Sequence, residues 1–186
     1  MRPVDVAATM LTLDVWWAVA GGWAIDLWLD RETREHHDIE VVVPRSDQWR
    51  VLEALTDRWD VFCLDPPGTG WRAWPGHALE RPAFQLQARG DTGEFDLFLE
   101  DVADGVWHYR RTAAIRRSVD GVVVVSRSGI PVVRPEIQLL YMATSADPKN
   151  LSDFEHAVPA LGAEPRRWLR DALRFAHQGH AWIDRL

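Results

Sequence analysis

The sequence predicts an α+β fold, with a mixed β-sheet core and flanking helices over residues 1–133 and a C-terminal helical segment over residues 134–186. Short apolar runs alternate with helix-like segments through the first part, and two neighbouring runs have the pattern of a hairpin. Beyond Pro135 every segment has helical character and no strand pattern recurs. At 186 residues the chain can bury a sizeable core, so we expect one core with a helical appendage.

The first third of the chain contains three predicted strands and three predicted helices. Each predicted strand is a short apolar run that ends at a glycine, a proline or an acidic residue. The predicted strands cover residues 16–20, 38–43 and 59–65, and the predicted helices cover residues 3–13, 23–30 and 46–57. Ser46 is the expected N-cap of the third helix, because a serine side chain accepts a hydrogen bond from a free N–H group.

The middle of the chain predicts two hairpins. Residues 83–89 and 94–100 alternate apolar and polar side chains and are joined by the turn GDTG. A second hairpin is expected over residues 114–126, because Asp120-Gly121 is a strong turn signal. The predicted helices of the helical segment cover residues 135–145, 151–161 and 164–178.

Composition and charge exclude several classes of function. The formal net charge of −7 argues against nucleic acid as a partner, because phosphate backbones select basic surfaces. The single cysteine, Cys63, excludes an intramolecular disulfide and a cysteine-based zinc site. No signal peptide and no apolar run of the ~18 residues that span a bilayer is present. We therefore expect a cytoplasmic protein without a membrane partner, whose oligomeric state the sequence leaves open.

The glycine pair Gly21-Gly22 separates a predicted strand from a predicted helix. Such a turn presents backbone N–H groups and a positive helix end, which together favour phosphate binding. A glycine pair is more often a tight turn without a ligand. This feature alone therefore does not decide the function.

Two carboxylates, Asp38 and Glu40, flank Ile39 at the start of a predicted strand. Residues two apart on a strand project from the same face, so Ile39 should point into the core while the carboxylates share the other face. Paired carboxylates can hold a hard cation such as Mg²⁺. The competing interpretation is the solvated face of a strand.

A third carboxylate, Asp96, lies between apolar residues on a later predicted strand. The period of two predicts that Glu94, Asp96, Phe98 and Glu100 share one face, whereas Phe95, Leu97 and Leu99 face the core. A solvated face is again the alternative. If the sheet brings Asp96 beside the first two carboxylates, two divalent cations would be needed to offset their repulsion. Two metal ions of this kind promote in-line displacement at phosphorus.

The run GGWAIDLWLDRETREHHDIEVVV joins these features into a more specific pattern. A Gly-Gly turn, then two carboxylates around one apolar residue, then a later single carboxylate resembles the DNA polymerase β-type nucleotidyltransferase superfamily. The run itself is similar to the small aminoglycoside and lincosamide nucleotidyltransferases. The matching positions are Gly21, Gly22, Trp23, Ala24, Asp26, Thr33, Arg34, His36, Asp38 and Ile39. Glu40 departs from the family, which usually has aspartate there.

The resemblance implies a role for each candidate residue. The N–H groups of Gly21 and Gly22, helped by Arg34, would hold the phosphates of a nucleoside triphosphate, with ATP the expected one. Lys149, the only lysine of the chain, would also reach the triphosphate. By the same resemblance, the metal ligands of two Mg²⁺ ions are Asp38, Glu40 and Asp96. Asp96 would in addition be the general base for a substrate hydroxyl that attacks the α-phosphorus and releases pyrophosphate.

The acceptor implied by the resemblance is a small hydroxylated molecule of the aminoglycoside or lincosamide antibiotic type. Asp153 and Glu155 could border a cationic acceptor, or lie on a solvated helix face. Asp26 could bind substrate, or contact the turn or solvent, and His36 could orient a carboxylate or a phosphate. Two alternatives stay open: a catalytically silent module of the same fold that binds or regulates, and a transferase that moves AMP to a protein.

Overall fold

The computed structural model describes residues 1–186 and contains six α-helices and ten strands. In chain order the elements are α1 (Pro3–Met10), β1 (Ala18–Ala20), α2 (Gly21–Leu29), β2 (Glu40–Pro44), α3 (Gln48–Leu55), β3 (Asp60–Cys63), β4 (Arg72–Ala73), β5 (Gln85–Gly90), β6 (Gly93–Ala103), β7 (Val106–His108), β8 (Arg116–Ser118), β9 (Val123–Val125), β10 (Pro131–Val133), α4 (Pro135–Met142), α5 (Pro148–Ala157) and α6 (Ala163–Ala176). No helix of the structure is long and apolar enough to cross a membrane.

Eight strands form one path of the sheet, in the order β4-β3-β5-β6-β2-β1-β10-β9, and β7 and β8 extend it from β6. The pairs β2–β6 and β1–β10 are parallel, whereas the remaining pairs are antiparallel. The sheet is therefore mixed, and with the helices around it the α+β prediction is confirmed.

The central strands separate two hydrophobic clusters. Val41, Val43 and Leu97 belong to the cluster that α1 and α3 cover, whereas Val42 contacts the cluster that contains α4, α5 and α6. This alternation is the period of two expected of a strand that is buried on both faces. The helical segment thus packs on the sheet and shares a core with it, and the last strand ends at Val133 before α4 begins.

The hairpin predicted over residues 83–100 is present, with Gly90 opposite Gly93 at its turn. The second predicted hairpin, around Asp120-Gly121, is wrong. Residues 119–121 form a short 3₁₀ turn, and Gly121 does not adopt the positive φ that a two-residue hairpin turn needs. As a result β8 pairs with β7, whereas β9 pairs with β10.

The predicted N-cap of the third helix is also wrong. Ser46 lies in a short 3₁₀ turn over Arg45–Asp47, and α3 begins after it at Gln48. The first residues of α3 therefore receive no capping hydrogen bond from a side chain. The second helix begins two residues earlier than predicted and is slightly longer. The other predicted elements of the first third are shorter in the structure, with ends shifted by a few residues.

Candidate active site

The glycine pair forms a sharp turn directly between β1 and α2. Gly21 has φ +64°, and a Cβ placed there would lie 2.7 Å from Oε2 of Glu40. A Cβ on Gly22 would collide with the Arg34 guanidinium and lie 2.6 Å from Cε1 of His36. An added Cβ at either position would displace these side chains, and Gly21 in addition has the positive φ that favours glycine.

The N-terminus of α2 has no capping side chain, since Ala20 occupies the N-cap position. The first N–H groups of the helix are therefore without intrahelical partners and carry the positive end of the helix dipole. Both glycines line the same cleft as Glu40. The predicted phosphate site is thus next to the predicted metal ligands.

The first two carboxylates lie where the chain enters β2. Asp38 is exposed and precedes the strand, Glu40 is its first residue, and Ile39 between them is buried in the cluster beneath. The prediction that Ile39 points into the core is confirmed. The alternation leaves Asp38 and Glu40 facing the cleft, and both line it.

The third carboxylate, Asp96, stands opposite Glu40 on the neighbouring parallel strand β6. Its two oxygens accept hydrogen bonds from the amides of Gln85 and Gln87 at 3.0 and 2.9 Å. Both glutamines belong to β5, on the side of β6 away from Glu40. These bonds hold the Asp96 carboxylate on the β5 side of β6. Asp96 is partly exposed and lies beside Glu40, but it is not among the residues that line the cleft.

The three carboxylates influence one another's charge. Burial, followed by the charges of Asp38 and Asp96, raises the pKa of Glu40 to about 7. Burial also raises the pKa of Asp96, although the two glutamine amides oppose this shift. Neighbouring carboxylates with raised pKa values are the environment expected of groups that a cation would stabilise.

The donor set fits Mg²⁺ in its chemistry, because all three ligands would be carboxylate oxygens. In the structure the side chains do not form a group of three or more His, Cys, Asp or Glu residues close enough to hold a metal ion. The backbone register places Glu40 and Asp96 side by side, and Asp38 lies two residues before Glu40. The assignment of these three residues as metal ligands stays a prediction.

A buried network holds the loop that leads to Asp38. The carboxylate of Asp26, on α2, accepts hydrogen bonds from the backbone N–H and hydroxyl of Thr33 at 3.0 and 2.5 Å. Nε2 of His36 lies 2.6 Å from the same carboxylate, and its ring stacks on Trp23. Asp26 is thus a buried structural residue that fixes the loop, and it contacts neither solvent nor the cleft.

The predicted phosphate ligand Arg34 is held by the helical segment. Its Nε and Nη2 donate to the two oxygens of Asp153 at 2.8 and 2.9 Å, and Nη1 donates to the carbonyl of Glu35. Arg34 still lines the cleft, whereas Asp153 is completely buried on α5. Asp153 therefore does not border an acceptor, and Glu155 is exposed and paired with Arg185.

Lys149 lies in the first turn of α5 and lines the cleft opposite the glycine turn. Its Nζ is half exposed and lies 3.9 Å from Asp147, whose carboxylate also caps α5 by accepting from the Lys149 N–H. The carboxylate of Asp147 is the one ion-pair partner of this ammonium group.

The residues described above border a cleft of about 330 Å³ between the sheet and α4. Asp96 lies beside Glu40 and does not line the cleft. Six of the predicted site residues line it: Gly21, Gly22, Arg34, Asp38, Glu40 and Lys149. The sequence reasoning missed the far end of the cleft, where Glu100, Trp107, Arg110 and Tyr141 meet. The period of two had placed Glu100 on the correct face, which was the one available signal.

A family model of aminoglycoside-2''-adenylyltransferases matches residues 4–65, and comparison with curated proteins gave no match. The lincosamide antibiotic adenylyltransferase LnuA, solved with lincomycin, has a TM-score of 0.60 and 16% identity over 83% of this chain and 92% of its own. ANT(2'')-Ia, solved with adenylyl-2''-tobramycin, has a TM-score of 0.58 and 21% identity over 92% and 94%. A nucleotidyltransferase-like protein of Paracoccidioides brasiliensis has a TM-score of 0.51 and 14% identity over 97% and 88%.

These likenesses confirm the predicted resemblance to small antibiotic nucleotidyltransferases. The structural matches cover most of each chain and show a shared fold, and the family model adds a sequence match across the glycine turn and the first two carboxylates. The partial family match and the shared fold support the prediction that the chain is a nucleotidyltransferase.

Proposed function

We propose that this nucleotidyltransferase-like chain transfers a nucleoside monophosphate, AMP in the first instance, from a nucleoside triphosphate to a hydroxyl of a small molecule. Acceptors of the aminoglycoside or lincosamide antibiotic type are the classes suggested by the similar proteins. The single observation that carries the proposal is the register of β2 and β6, which sets Glu40 beside Asp96 next to the glycine turn.

The chain's own groups provide binding, orientation and proton removal. The free N–H groups at the start of α2 would bind the phosphates, and Lys149 would reach them from α5. Arg34 would add positive charge at the same end of the cleft, oriented by Asp153. Holding the phosphates and the acceptor hydroxyl in line contributes most to such a reaction, because no covalent intermediate with the protein is needed.

Asp96 would accept the proton of the attacking hydroxyl. Its raised pKa brings the carboxylate closer to the range in which proton uptake is useful near neutral pH. Gln85 and Gln87 fix the carboxylate and would orient its remaining lone pairs toward the cleft. Bound by Asp38, Glu40 and Asp96, Mg²⁺ would neutralise the charge that develops on the phosphates.

Pyrophosphate release in the presence of Mg²⁺, nucleoside triphosphates and a panel of acceptors tests the proposal. Asp38→Asn and Asp96→Asn should each lower the rate of nucleotidyl transfer by at least about a hundredfold and leave the Tm unchanged. Glu94→Gln is the matched control, because Glu94 is an exposed carboxylate on the same strand as Asp96. Full activity of either asparagine variant would contradict the assigned roles.

The alternative to a transferase is a catalytically silent module of the same fold that binds nucleotide. Calorimetry that shows Mg²⁺-dependent ATP binding, with no pyrophosphate release for any acceptor, would replace the transferase by a binding function. Mass spectrometry of co-expressed proteins would reveal an added AMP if the acceptor is a protein.

A further inference from the structure

The cleft continues well beyond the predicted catalytic residues. Glu40 and Asp96 mark one end, and Glu100, four residues further along β6, marks the other, which is about 13 Å away at the rise of a strand. Apolar side chains of the sheet and of α4 form the walls between the two ends: Val42, Phe98, Val122, Val133, Ile137 and Met142. We call the part around Glu100, Arg110 and Tyr141 the distal end.

Glu100 is unable to serve as a free acidic ligand there. Its Oε2 accepts hydrogen bonds from Trp107 Nε1 at 2.6 Å and from the Tyr141 hydroxyl at 2.7 Å. Arg110 Nη1 lies 3.7 Å from its other oxygen, and only 3% of the residue is exposed. Its charge is therefore balanced and its position fixed within the protein.

The guanidinium of Arg110, unlike the carboxylate of Glu100, has hydrogen-bond donors that no group of the protein uses. Its guanidinium lies 3.9 Å from the centre of the Phe84 ring and 5.2 Å from that of Tyr141, so the aromatic faces set its plane. This guanidinium makes an ion pair with Glu100 but no hydrogen bond within the protein, and its buried Nη1 has no hydrogen-bond partner. A planar cation with unused donors next to a cleft binds a hydrogen-bond acceptor such as a carbonyl, a ring nitrogen or an acidic oxygen.

The charges along the cleft leave no acidic group free for a cation at this end. The acidic residues of the wall are Asp38, Glu40, Glu100 and Asp147. Asp38 and Glu40 belong to the proposed metal site, and Asp147 caps α5 beside Lys149. Arg111 adds a second cation near the Tyr141 ring. A polycation would therefore meet positive charge at the distal end.

We propose that the distal end is a binding subsite for an uncharged or acidic ring that carries a hydrogen-bond acceptor, read by Arg110, and that it selects against polycationic ligands. This subsite rests on the proposed transferase function and narrows its substrates. The ring has two sources, the base of the nucleotide or the body of the acceptor, and both present the same chemistry to Arg110.

Calorimetry on the full chain with Mg²⁺ tests the subsite and separates the two sources. The first arm compares ATP with inorganic tripolyphosphate, which has the phosphates but no ring. The second arm compares uridine, an uncharged hydroxylated ring with carbonyl acceptors, with the polycation tobramycin, both in the presence of a non-hydrolysable ATP analogue. The variant is Arg110→Met, and Arg58→Met, which removes an exposed arginine outside the cleft, is the matched control.

If the base occupies the subsite, Arg110→Met weakens ATP binding at least tenfold and leaves tripolyphosphate binding unchanged. If the acceptor occupies it, the same variant weakens uridine binding at least tenfold and leaves ATP binding unchanged. In both cases tobramycin binds Arg110→Met at least as tightly as the wild type. Arg58→Met changes none of these affinities.

Affinities for ATP and uridine that both stay within twofold in Arg110→Met overturn the subsite, and so does tobramycin binding that is tighter in the wild type than in that variant. Because Arg110→Met leaves Glu100 without its cation, the double variant Arg110→Met/Glu100→Gln removes both charges and should show the same losses. A wild type that binds no nucleotide contradicts the proposed function itself. A wild type that binds ATP, with no loss of either ATP or uridine affinity in Arg110→Met, contradicts the subsite alone.

Discussion

The guanidinium of Arg34 and the carboxylate of Asp153, 119 residues apart, form a two-point ion pair at 2.8 and 2.9 Å. Asp153 is fully buried on α5, and Arg34 lies in the loop between α2 and β2 that also contains Asp38. The pair therefore joins the helical segment to the loop that contains Asp38, a predicted metal ligand. It also sets the guanidinium plane at the edge of the cleft.

Asp153→Ala should lower the free energy of unfolding by about 3 kcal/mol, because it leaves a largely buried guanidinium without its partner. Urea unfolding followed by tryptophan fluorescence measures the change. Glu155→Ala removes an exposed ion pair on the same helix and should cost less than about 1 kcal/mol. Equal losses of unfolding free energy in the two variants would show that the buried Arg34–Asp153 pair stabilises the protein no more than an exposed ion pair does.

Gly21→Ala should reduce transfer at least about a hundredfold, because its methyl group would displace the Glu40 carboxylate and the residue would be held at positive φ. The backbone cost alone is about 1–2 kcal/mol of stability. Gly129→Ala isolates that cost, since Gly129 also has positive φ but an added Cβ meets nothing within 4 Å. An active Gly21→Ala enzyme would rule out the close approach of Glu40 as a requirement.

Glu40→Gln should stabilise the metal-free protein at neutral pH while abolishing transfer. Burial and the neighbouring carboxylates raise the pKa of Glu40 from 4.5 to about 7, so the wild type loses stability as pH rises through this window. The stability difference between variant and wild type should therefore grow from about pH 4.5 to about pH 7 and then level off.

Urea unfolding in EDTA across this pH range measures the difference, and Mg²⁺ added at about pH 8 should raise the Tm of the wild type more than that of Glu40→Gln. Glu94→Gln should show neither effect, because Glu94 is largely exposed. A stability difference between Glu40→Gln and the wild type that does not change with pH would refute the raised pKa of Glu40.

Asp26→Asn should make the protein less sensitive to acid. Burial by itself would raise the pKa of Asp26, but hydrogen bonds from His36 and Thr33 outweigh it and hold the pKa below its usual value of 3.8. The stability that the carboxylate contributes is present above about pH 4 and is lost as the pH falls below that. Thermal unfolding at pH values from about 2 to about 7 should show the two proteins converging at the acidic end, and parallel curves would contradict this role.

The fold class and most of the site were predictable because they depend on local patterns. The alternation around Ile39, and the same alternation from Phe95 to Leu99, follows from the period of a strand and needs no knowledge of the partner strands. The register of Glu40 against Asp96 was the one long-range relation required. The strand pattern left it as a possibility, and the resemblance favoured it.

The features that the sequence did not reveal depend on contacts between distant segments. Asp26 has the pattern of a residue on a helix surface, but a loop that folds back over it buries it beneath Thr33 and His36. The distal end of the cleft combines β6, the loop after β7 and α4, which no spacing rule relates. The hairpin around Asp120-Gly121 was predicted incorrectly for a similar reason, because β9 pairs with β10 rather than with the preceding strand β8.

The two faces of the sheet differ in whether they border the cleft. On one face α1 and α3 bury a cluster that the cleft does not touch, and on the other face α4 and the loop after β7 close the cleft over the carboxylates. Substitutions in α4 or in residues 106–111 can therefore change which molecules are admitted while the strands that hold Glu40 and Asp96 stay as they are. In such a chain the substrate selectivity can change while the candidate catalytic residues keep their positions.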